Sequence, residues 1–504
     1  MKQFDYSINK DIPLHDDQNE VVDYMLNHPF CINASQTGLW LGKTYLSLTA
    51  LMHILVKDKS LVGIICVPPK ALKIFRKELE TKLKVKYSEI STQNNISNNS
   101  RVILISHTKL EESIPLLNKL LQQGRKIAFI LDEAHTICAE ENQLTKVVKA
   151  IRPVLTYCWF LTASPCGNDI WGLYNLVSII DENILVDKNW FKANYLITEY
   201  QRVKKWNPFT KRYEYKMEEI IIDYKNTEEL SKRLKDVIII RQKTYNLEFI
   251  HYKTQLNEEE LKSYFKASGG LARDTAKKNF AVRLNDLTRV VDNSSPKYSD
   301  KTSLSSKEKL LMTTVNDLIN DHILIIYTEL NDNVERLNLL LHKLKALKKN
   351  INNIHIINGA TSFKERGLIE EKITNHDVII ITSAGCESIN LQKADTIILY
   401  DIPFSISRSL QLFGRITRTD TKFSKQYIYT IEAEGTIDTY KRLCLDMHTS
   451  LITQLFGPMA TLPYSLNLID SNIQKKLRNK LLWSFRTKKL PTEEEINRIL
   501  NSNK

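Results

Sequence analysis

The chain has 504 residues, 42% hydrophobic and 26% charged, the balance of a globular protein with ample core and room for about three domains. Its 71 Lys and Arg against 58 Asp and Glu leave a formal surplus of +13, which favours a polyanionic partner, nucleic acid first. The chain shows neither the ~18-residue apolar run of a membrane-crossing helix nor an apolar signal core in Met-Lys-Gln-Phe-Asp-Tyr-Ser, and its seven cysteines form no C-x-x-C pair. A zinc ribbon and a disulfide framework are thereby excluded, and an intracellular protein with reduced thiols is expected.

In chain order, a helical pattern over Tyr45–Leu55 is followed by short β-branched runs at Val62–Val67, Val102–Ser106, Ile127–Leu131 and Cys158–Leu161. A polar tip, Thr92–Ser100, interrupts the first set. From Asp181 to about Ser306 the sequence is rich in charge and poor in strand signals; Thr227–Lys243 and Glu258–Arg289 read as helices, and Asn293–Ser306 as a mobile, Ser-rich linker. A second set of strand runs follows at Ile323–Tyr327, Ile354–Ile357, Val378–Thr382, Thr396–Tyr400 and Gln426–Thr430. Near-continuous apolar runs suit strands buried on both faces, so the fold class is α/β with two parallel sheets in tandem. The expected division is 1–180, a mainly helical insertion and linker at 181–306, a second sheet domain at 307–445 and a basic helical tail at 446–504. Lys475–Lys489 in that tail reads either as a nucleic-acid contact or as a solvated basic helix.

Two short motifs carry chemistry. Ser35–Thr44 reads S-Q-T-G-L-W-L-G-K-T and opens a helix. In such a phosphate loop the helix N-terminus faces the phosphates, Lys43 supplies a point charge and Thr44 holds Mg²⁺. Two alignments are open: Thr37 takes the first-glycine position, or a loop containing Gly38 and Gly42 is enlarged by two residues near Trp40-Leu41. The second is preferred, because Trp40 would crowd the nucleotide under the first. Ile127–Leu131 ends directly in Asp132-Glu133-Ala134-His135, which places two carboxylates at the carboxyl end of a sheet, where α/β folds bind ligands. Asp132 is suited to Mg²⁺ held through water, and Glu133 to orienting the attacking water.

With these two motifs in order, the chain resembles superfamily 2 DEAH-motif helicases and translocases, and within them the Swi/Snf-type DNA-dependent ATPases. The resemblance runs from about Leu14 to Lys441 and implies two RecA-like motor domains. Leu14-His-Asp-Asp-Gln18 is similar to the adenine-reading Q motif, with Gln18 as the amide. Cys66-Val-Pro-Pro-Lys-Ala-Leu72 and Ser106-His-Thr108 are similar to backbone-gripping motifs, and Leu161-Thr-Ala-Ser-Pro165 to the coupling motif. The continuation Cys166–Leu176 resembles the stretch that marks the Swi/Snf branch. Asn358-Gly-Ala-Thr-Ser362 with Arg366, Thr382–Leu391, Gln411-Leu-Phe-Gly-Arg-Ile-Thr-Arg418 and Gly435-Thr-Ile-Asp438 follow in the family's order. The resemblance implies Pro68, Lys70, Ser106, Thr162, Ser164, Ser362 and Ser383 as nucleic-acid contacts, Gly385 and Gln411 at the nucleotide, and ATP with Mg²⁺ as cofactors.

Arg415 and Arg418, three apart, are expected on one helix face, from which they would reach the γ-phosphate as fingers at the interdomain cleft. Trp159 reads as core, and His135 as a hydrogen-bonding link toward Gln411. Trp206, near Lys204, Lys205, Lys211 and Arg212, reads equally as a nucleic-acid grip or a solvated hairpin. The expected function is ATP-driven movement along DNA, duplex favoured and RNA not excluded, with no membrane partner. The alternatives are a strand-separating helicase and a non-hydrolysing DNA-binding protein, the latter supported only by the irregular phosphate loop.

Overall fold

The computed structural model describes residues 14–35, 42–90, 100–163, 165, 170–207, 212–241, 247–268, 277–293, 303–348, 350–386, 389–403, 406–417, 421–445, 477, 480–481, 483–485 and 487–500. The chain divides into two compact units, Met1–Tyr195 with Asn226–Lys243, and Leu196–Lys225 with Thr244–Lys504. The break expected at residue 180 falls inside the first unit, and the stretch 181–306 is shared out between the two.

The strands of the first half are β1 (Phe30–Asn33), β2 (Leu61–Val67), β3 (Ser88–Ile90), β4 (Val102–Ser106), β5 (Lys126–Leu131) and β6 (Tyr157–Leu161). An antiparallel hairpin of β7 (Leu196–Asn207) and β8 (Arg212–Tyr224) precedes the two-residue β9 (Ile238–Ile239). The first unit's sheet runs β3-β4-β2-β5-β6-β1-β9 and is parallel throughout. All residues of β2 and β4 are buried, as helices on both faces of a parallel sheet require. Helices α1 (Asp16–Asn27) and α2 (Lys43–Lys57) share one core cluster with these strands through Val21, Met25, Leu46, Leu51 and Ile65. Trp159 belongs to that core, fully enclosed, and its indole N–H donates to the His28 carbonyl at 3.1 Å. Arg101 closes the C-terminal end of α2, donating to the carbonyls of Leu55 at 2.6 Å, Asp58 at 2.5 Å and Leu61 at 3.0 Å.

The reading of 181–306 as strand-poor is corrected. Besides the helices Lys188–Tyr195, Thr227–Leu234, Glu258–Ser268 and Lys277–Val291, this stretch holds β7, β8, β9 and β10 (Leu247–Thr254). The helix expected to reach Lys243 stops at Leu234, because the chain turns to lay β9 beside β1, where Ile32 N–H donates to Val237 O at 2.7 Å and Ala34 N–H to Ile239 O at 2.8 Å. Residues 294–302 of the expected linker and 92–99 of the polar tip Thr92–Ser100 lie outside the described residues. The linker's described end is fastened, since Ser306 donates through its amide and hydroxyl to Glu260 at 2.6 and 2.7 Å.

In the second unit β11 (Leu324–Thr328), β12 (Ile354–Ile357), β13 (Val378–Thr382), β14 (Thr396–Leu399) and β15 (Gln426–Ala433) join β10 in a parallel sheet of order β10-β15-β14-β11-β13-β12. A charged network is sealed in this unit. Lys307 Nζ lies 2.6 Å from Asp292 and 2.7 Å from Asp438, with all three side chains fully buried, and Lys441 Nζ lies 2.5 Å from the buried Asp401. Asn333 donates to Asp292 at 2.8 Å, and the Ala433 amide donates to Asp438 at 3.1 Å. Three carboxylates here meet two ammonium groups, and burial pushes the Asp292 carboxyl up to about 7. The described part of the expected basic tail is not a loose appendage: Leu481 and Phe485 pack with Leu256, Tyr264 and Ile437 in one apolar cluster. Residues 446–476 lie outside the described residues.

Candidate active site

The first unit's strands are parallel, so the segments following β1, β2, β4, β5 and β6 emerge at one edge of the sheet. After β1, the Asn33 carboxamide oxygen accepts the Ser35 amide at 3.1 Å and turns the chain out of the strand. Residues 36–41 lie outside the described residues, and with them Thr37, Gly38 and the question of the two loop alignments. The chain is described again at Gly42, whose φ of 48° and ψ of 60° are left-handed, a conformation glycine adopts without cost while ending the loop and starting α2. Lys43 and Thr44 follow in the first turn, where helix amides favour an anion.

Lys43 is buried, and its Nζ has no hydrogen-bond partner among the described residues. Burial lowers its pKa from the ordinary lysine value, while Glu133 and Asp132 pull it back up. The Asp132 carboxyl is raised in turn, first by burial and then by Glu133, with Lys43 opposing. The Asp132 amide continues the β2–β5 ladder by donating to Cys66 O at 2.9 Å, so the carboxylate is fixed by the strand itself. His107 Nε2 lies 2.9 Å from Asp132 O, and burial depresses the imidazole to about 4, which keeps it neutral. Glu133 has φ 50° and ψ 48°, a strained backbone for a non-glycine residue, of the kind that collects at functional sites. His135 Nδ1 lies 3.2 Å from the Glu133 carboxylate.

Gln18 is buried in α1, and its side-chain oxygen accepts the His15 amide at 2.9 Å, a capping bond that sequence reasoning did not foresee.

In the second unit, Gly385 lies so close to β12 that a Cβ there would sit 2.0 Å from Ile357 O. The loop it belongs to is stapled by Arg366, whose guanidinium donates to Gly385 O at 3.1 Å, Asn358 O at 2.9 Å and Thr361 O at 3.1 Å. Arg366 thus joins the two motifs Asn358–Ser362 and Thr382–Leu391, an organising role beyond the order in which sequence reasoning placed it. The helix carrying Gln411 ends at Phe413, and Gly414 and Arg415 form the turn after it. The expectation that Arg415 shares a helix face with Arg418 is therefore corrected for Arg415: the helix stops at Phe413, and Arg415 Nη1 donates to Ile389 O at 3.2 Å. Arg418 lies outside the described residues.

Comparison with known proteins decides the family. The SNF2-related domain matches residues 18–289, more than half of the chain, and the helicase conserved C-terminal domain matches residues 306–420. The chain belongs to the SNF2-related family. It is 24% identical over 404 residues to the uncharacterized ATP-dependent helicase YqhH of Bacillus subtilis strain 168, covering 73% of this chain. It spans 65% of that relative's length. The Sulfolobus solfataricus SWI2/SNF2 ATPase core in complex with dsDNA aligns with TM-score 0.39 and 17% identity over 99% of both chains. The same ATPase core domain alone aligns with TM-score 0.37 and 18% identity over 94% of this chain and 97% of that one.

Strands β1–β10 of this SNF2-related chain lie within the SNF2-related match, and β11–β14 within the helicase C-terminal match. Its expected nucleic-acid residues fall into distinct settings. Lys70 is exposed and Pro68 half-buried just beyond β2, at the edge that also carries Asp132. Ser106 is buried beside Thr108, hydroxyl to hydroxyl at 2.9 Å, and Thr162 is buried with its amide donating to Asn33 O at 3.1 Å. Ser362 is exposed and caps the helix Phe363–Lys372 through the Glu365 amide at 3.3 Å. Ser383 is half-buried, and Ser164 lies outside the described residues. Among the described residues the cysteines are free thiols, all buried but Cys138, and no helix is long and apolar enough to cross a membrane.

Proposed function

We propose that the chain hydrolyses ATP and uses the cycle to move along duplex DNA. The observation that carries this reading is the buried Lys43 ammonium, without a hydrogen-bond partner among the described residues, beside two carboxylates at the carboxyl edge of a parallel sheet. A desolvated ammonium in that setting calls for an anion of several charges, and a triphosphate fits it. Among the described residues no three His, Cys, Asp or Glu side chains are grouped to hold a metal by themselves. That suits Mg²⁺, which keeps several waters and is held by one or two carboxylates together with phosphates. Thr44 and Asp132 would hold it, and it would neutralise charge on the terminal phosphates.

Phosphoryl transfer asks the protein for positioning and charge more than for covalent chemistry. Lys43 places its charge on the terminal phosphates. Glu133 accepts a hydrogen bond from the attacking water, with His135 beside its carboxylate. His107, neutral, holds the backbone behind Asp132. Arg415 and Arg418 are proposed to stabilise charge that develops on the γ-phosphate. The net charge of +13 favours a nucleic-acid track, and the stretch Cys166–Leu176, similar to the branch of duplex translocases, favours duplex DNA.

Steady-state ATP hydrolysis tests the reading: alone, then with duplex DNA, single-stranded DNA and RNA, beside Lys43→Ala. Stimulation by duplex DNA that vanishes in the variant is expected. Stimulation by single strands or RNA instead would replace the duplex reading with the strand-separating one. Absence of turnover with every polymer would refute the enzyme.

A further inference from the structure

The turn that carries Glu133 is held by side chains that no motif above accounts for. It begins at Glu133, whose left-handed backbone persists only where the surroundings over-determine it. The short 3₁₀ turn Ala134–Ile137 follows and does not run on into a helix, so its carbonyls need partners from elsewhere. Within the turn, the Glu133 carbonyl accepts the Thr136 amide and hydroxyl, both at 3.0 Å, and the His135 carbonyl accepts the Cys138 amide at 3.2 Å. The carbonyls of residues 136 to 139 each accept from a side chain beyond the turn. Asn142 Nδ2 donates to Thr136 O at 2.8 Å, and the Thr145 hydroxyl is shared between Ala139 O at 2.7 Å and Ile137 O at 3.3 Å. Asn175 Nδ2 donates to Cys138 O at 2.8 Å.

These donors differ in kind. Asn142 is exposed and also caps the helix Gln143–Ile151, so it has a use apart from the turn. Thr145 and Asn175 are buried. Asn175 comes from the helix Ile170–Ile180, 37 residues beyond Cys138, and its Oδ1 is buried with no hydrogen-bond partner among the described residues. An unsatisfied buried oxygen is a cost that leucine, nearly the same size, would avoid. Packing alone therefore does not explain an amide at this position, whereas the bond to Cys138 O does. The helix that supplies it is itself fixed: the Tyr174 ring lies 5.1 Å from that of the buried Phe191, and Arg152 Nη2 donates to Ile180 O at 2.5 Å.

We propose that Asn175 and Thr145 are positioning residues for hydrolysis: they fix the carbonyls at the end of the turn and thereby aim the Glu133 carboxylate at the attacking water. The inference rests on the proposed role of Glu133 and deepens it. Asp132, proposed to hold Mg²⁺, stands upstream of the turn and is fastened separately, its amide donating to Cys66 O at 2.9 Å. Lys43 stands on α2, apart from the turn altogether. Loosening the turn should therefore slow the chemical step and spare nucleotide binding.

The test is ATP hydrolysis by the full chain, single-turnover and steady-state, with the polymer that stimulates wild type most, comparing wild type, Glu133→Gln, Asn175→Leu and Thr145→Val. Asn175→Leu keeps the volume and removes the donor. It should lower the single-turnover rate constant by about 10²-fold, the scale of a misplaced catalytic group, with the reaction amplitude and the ATP KM unchanged. Thr145→Val should act in the same direction, and it carries the test should Asn175→Leu not fold. A folding defect alone would do the reverse, lowering the amplitude while the surviving molecules keep the wild-type rate constant. That result, or a raised KM at an unchanged rate constant, would overturn the inference. Turnover lost in Glu133→Gln but kept at the wild-type rate in both other variants would overturn this inference alone. Wild type that hydrolyses no ATP, or Glu133→Gln as fast as wild type, would overturn the proposed role of Glu133 along with it.

Discussion

Replacing Lys307 with methionine keeps most of the side-chain volume and removes the ammonium between Asp292 and Asp438. Asp292, Asp401 and Asp438 are then left with Lys441 as their buried ammonium. Breaking a buried ion pair from one side costs about 3–5 kcal/mol, because a desolvated charge stays behind. At about 2–4 °C per kcal/mol, the second unit should melt roughly 6–20 °C earlier near pH 8. The loss should shrink near pH 5. Burial raises the Asp292 carboxyl to about 7 in the folded chain, against about 3.9 for an unfolded aspartate. Between those values the folded state holds a proton that the unfolded state has released, so this contribution to stability is present at low pH and lost as pH rises through about 7. Protonation then removes the charge that Lys307 no longer offsets. Scanning calorimetry at both pH values, with hydrogen exchange on peptides from β14 and β15, assigns the transition to this unit. Unchanged melting and unchanged exchange near pH 8 would refute the claim that the network holds the unit together. Adding Asp438→Asn to Lys307→Met should restore part of the loss.

Three further changes probe the site. Lys43→Met should abolish ATP turnover without lowering the nucleotide-free melting temperature, since the buried ammonium has no described partner to lose; a large destabilisation in calorimetry would show that Lys43 is structural. Arg415→Ala should cut turnover by about 10³–10⁵ while nucleotide affinity changes little, and single-turnover rates equal to wild type would remove it from the chemistry. Gly385→Ala drives a Cβ to within 2.0 Å of Ile357 O and 2.7 Å of Ile357 C. It should cost about 1–3 kcal/mol or more, measured as a lower urea midpoint for the second unit; an unchanged midpoint would show that the loop yields freely.

Much of the fold was legible because parallel strands buried on both faces leave continuous apolar runs, and every run read from the sequence is a strand. What escaped notice lacks that signal. β9 has two residues, β3 has three, and β10, Leu-Glu-Phe-Ile-His-Tyr-Lys-Thr at the sheet edge, has no fully buried residue. A hairpin around Trp206 was one of two readings the sequence offered, but its strands are rich in charge and give no continuous apolar run. That Lys43 comes together with Asp132 and Glu133 was legible, because residue type and order point to that grouping. Arg366 was not legible as a staple, since the groups it holds are backbone carbonyls that any sequence possesses. The misplacement of Arg415 was avoidable: a glycine directly before it is a helix stop signal.

The strand order also sets a timetable. β1, which leads into the segment proposed as a phosphate loop, is made early, but its neighbours are β6, paired through Cys158–Leu161, and β9, paired through Ile238–Ile239. At about 5–20 residues per second, an emerging chain waits roughly 10–40 s between making β1 and completing its second neighbour. For that interval the apolar strand Phe30-Cys-Ile-Asn lacks a partner on at least one edge, a natural point of engagement for chaperones. The whole β7–β8 hairpin must leave the ribosome before β9 can close the sheet. A nascent chain stalled before residue 238 therefore carries Lys43, Asp132 and Glu133, the side chains proposed for catalysis, and still lacks the finished frame that would hold them.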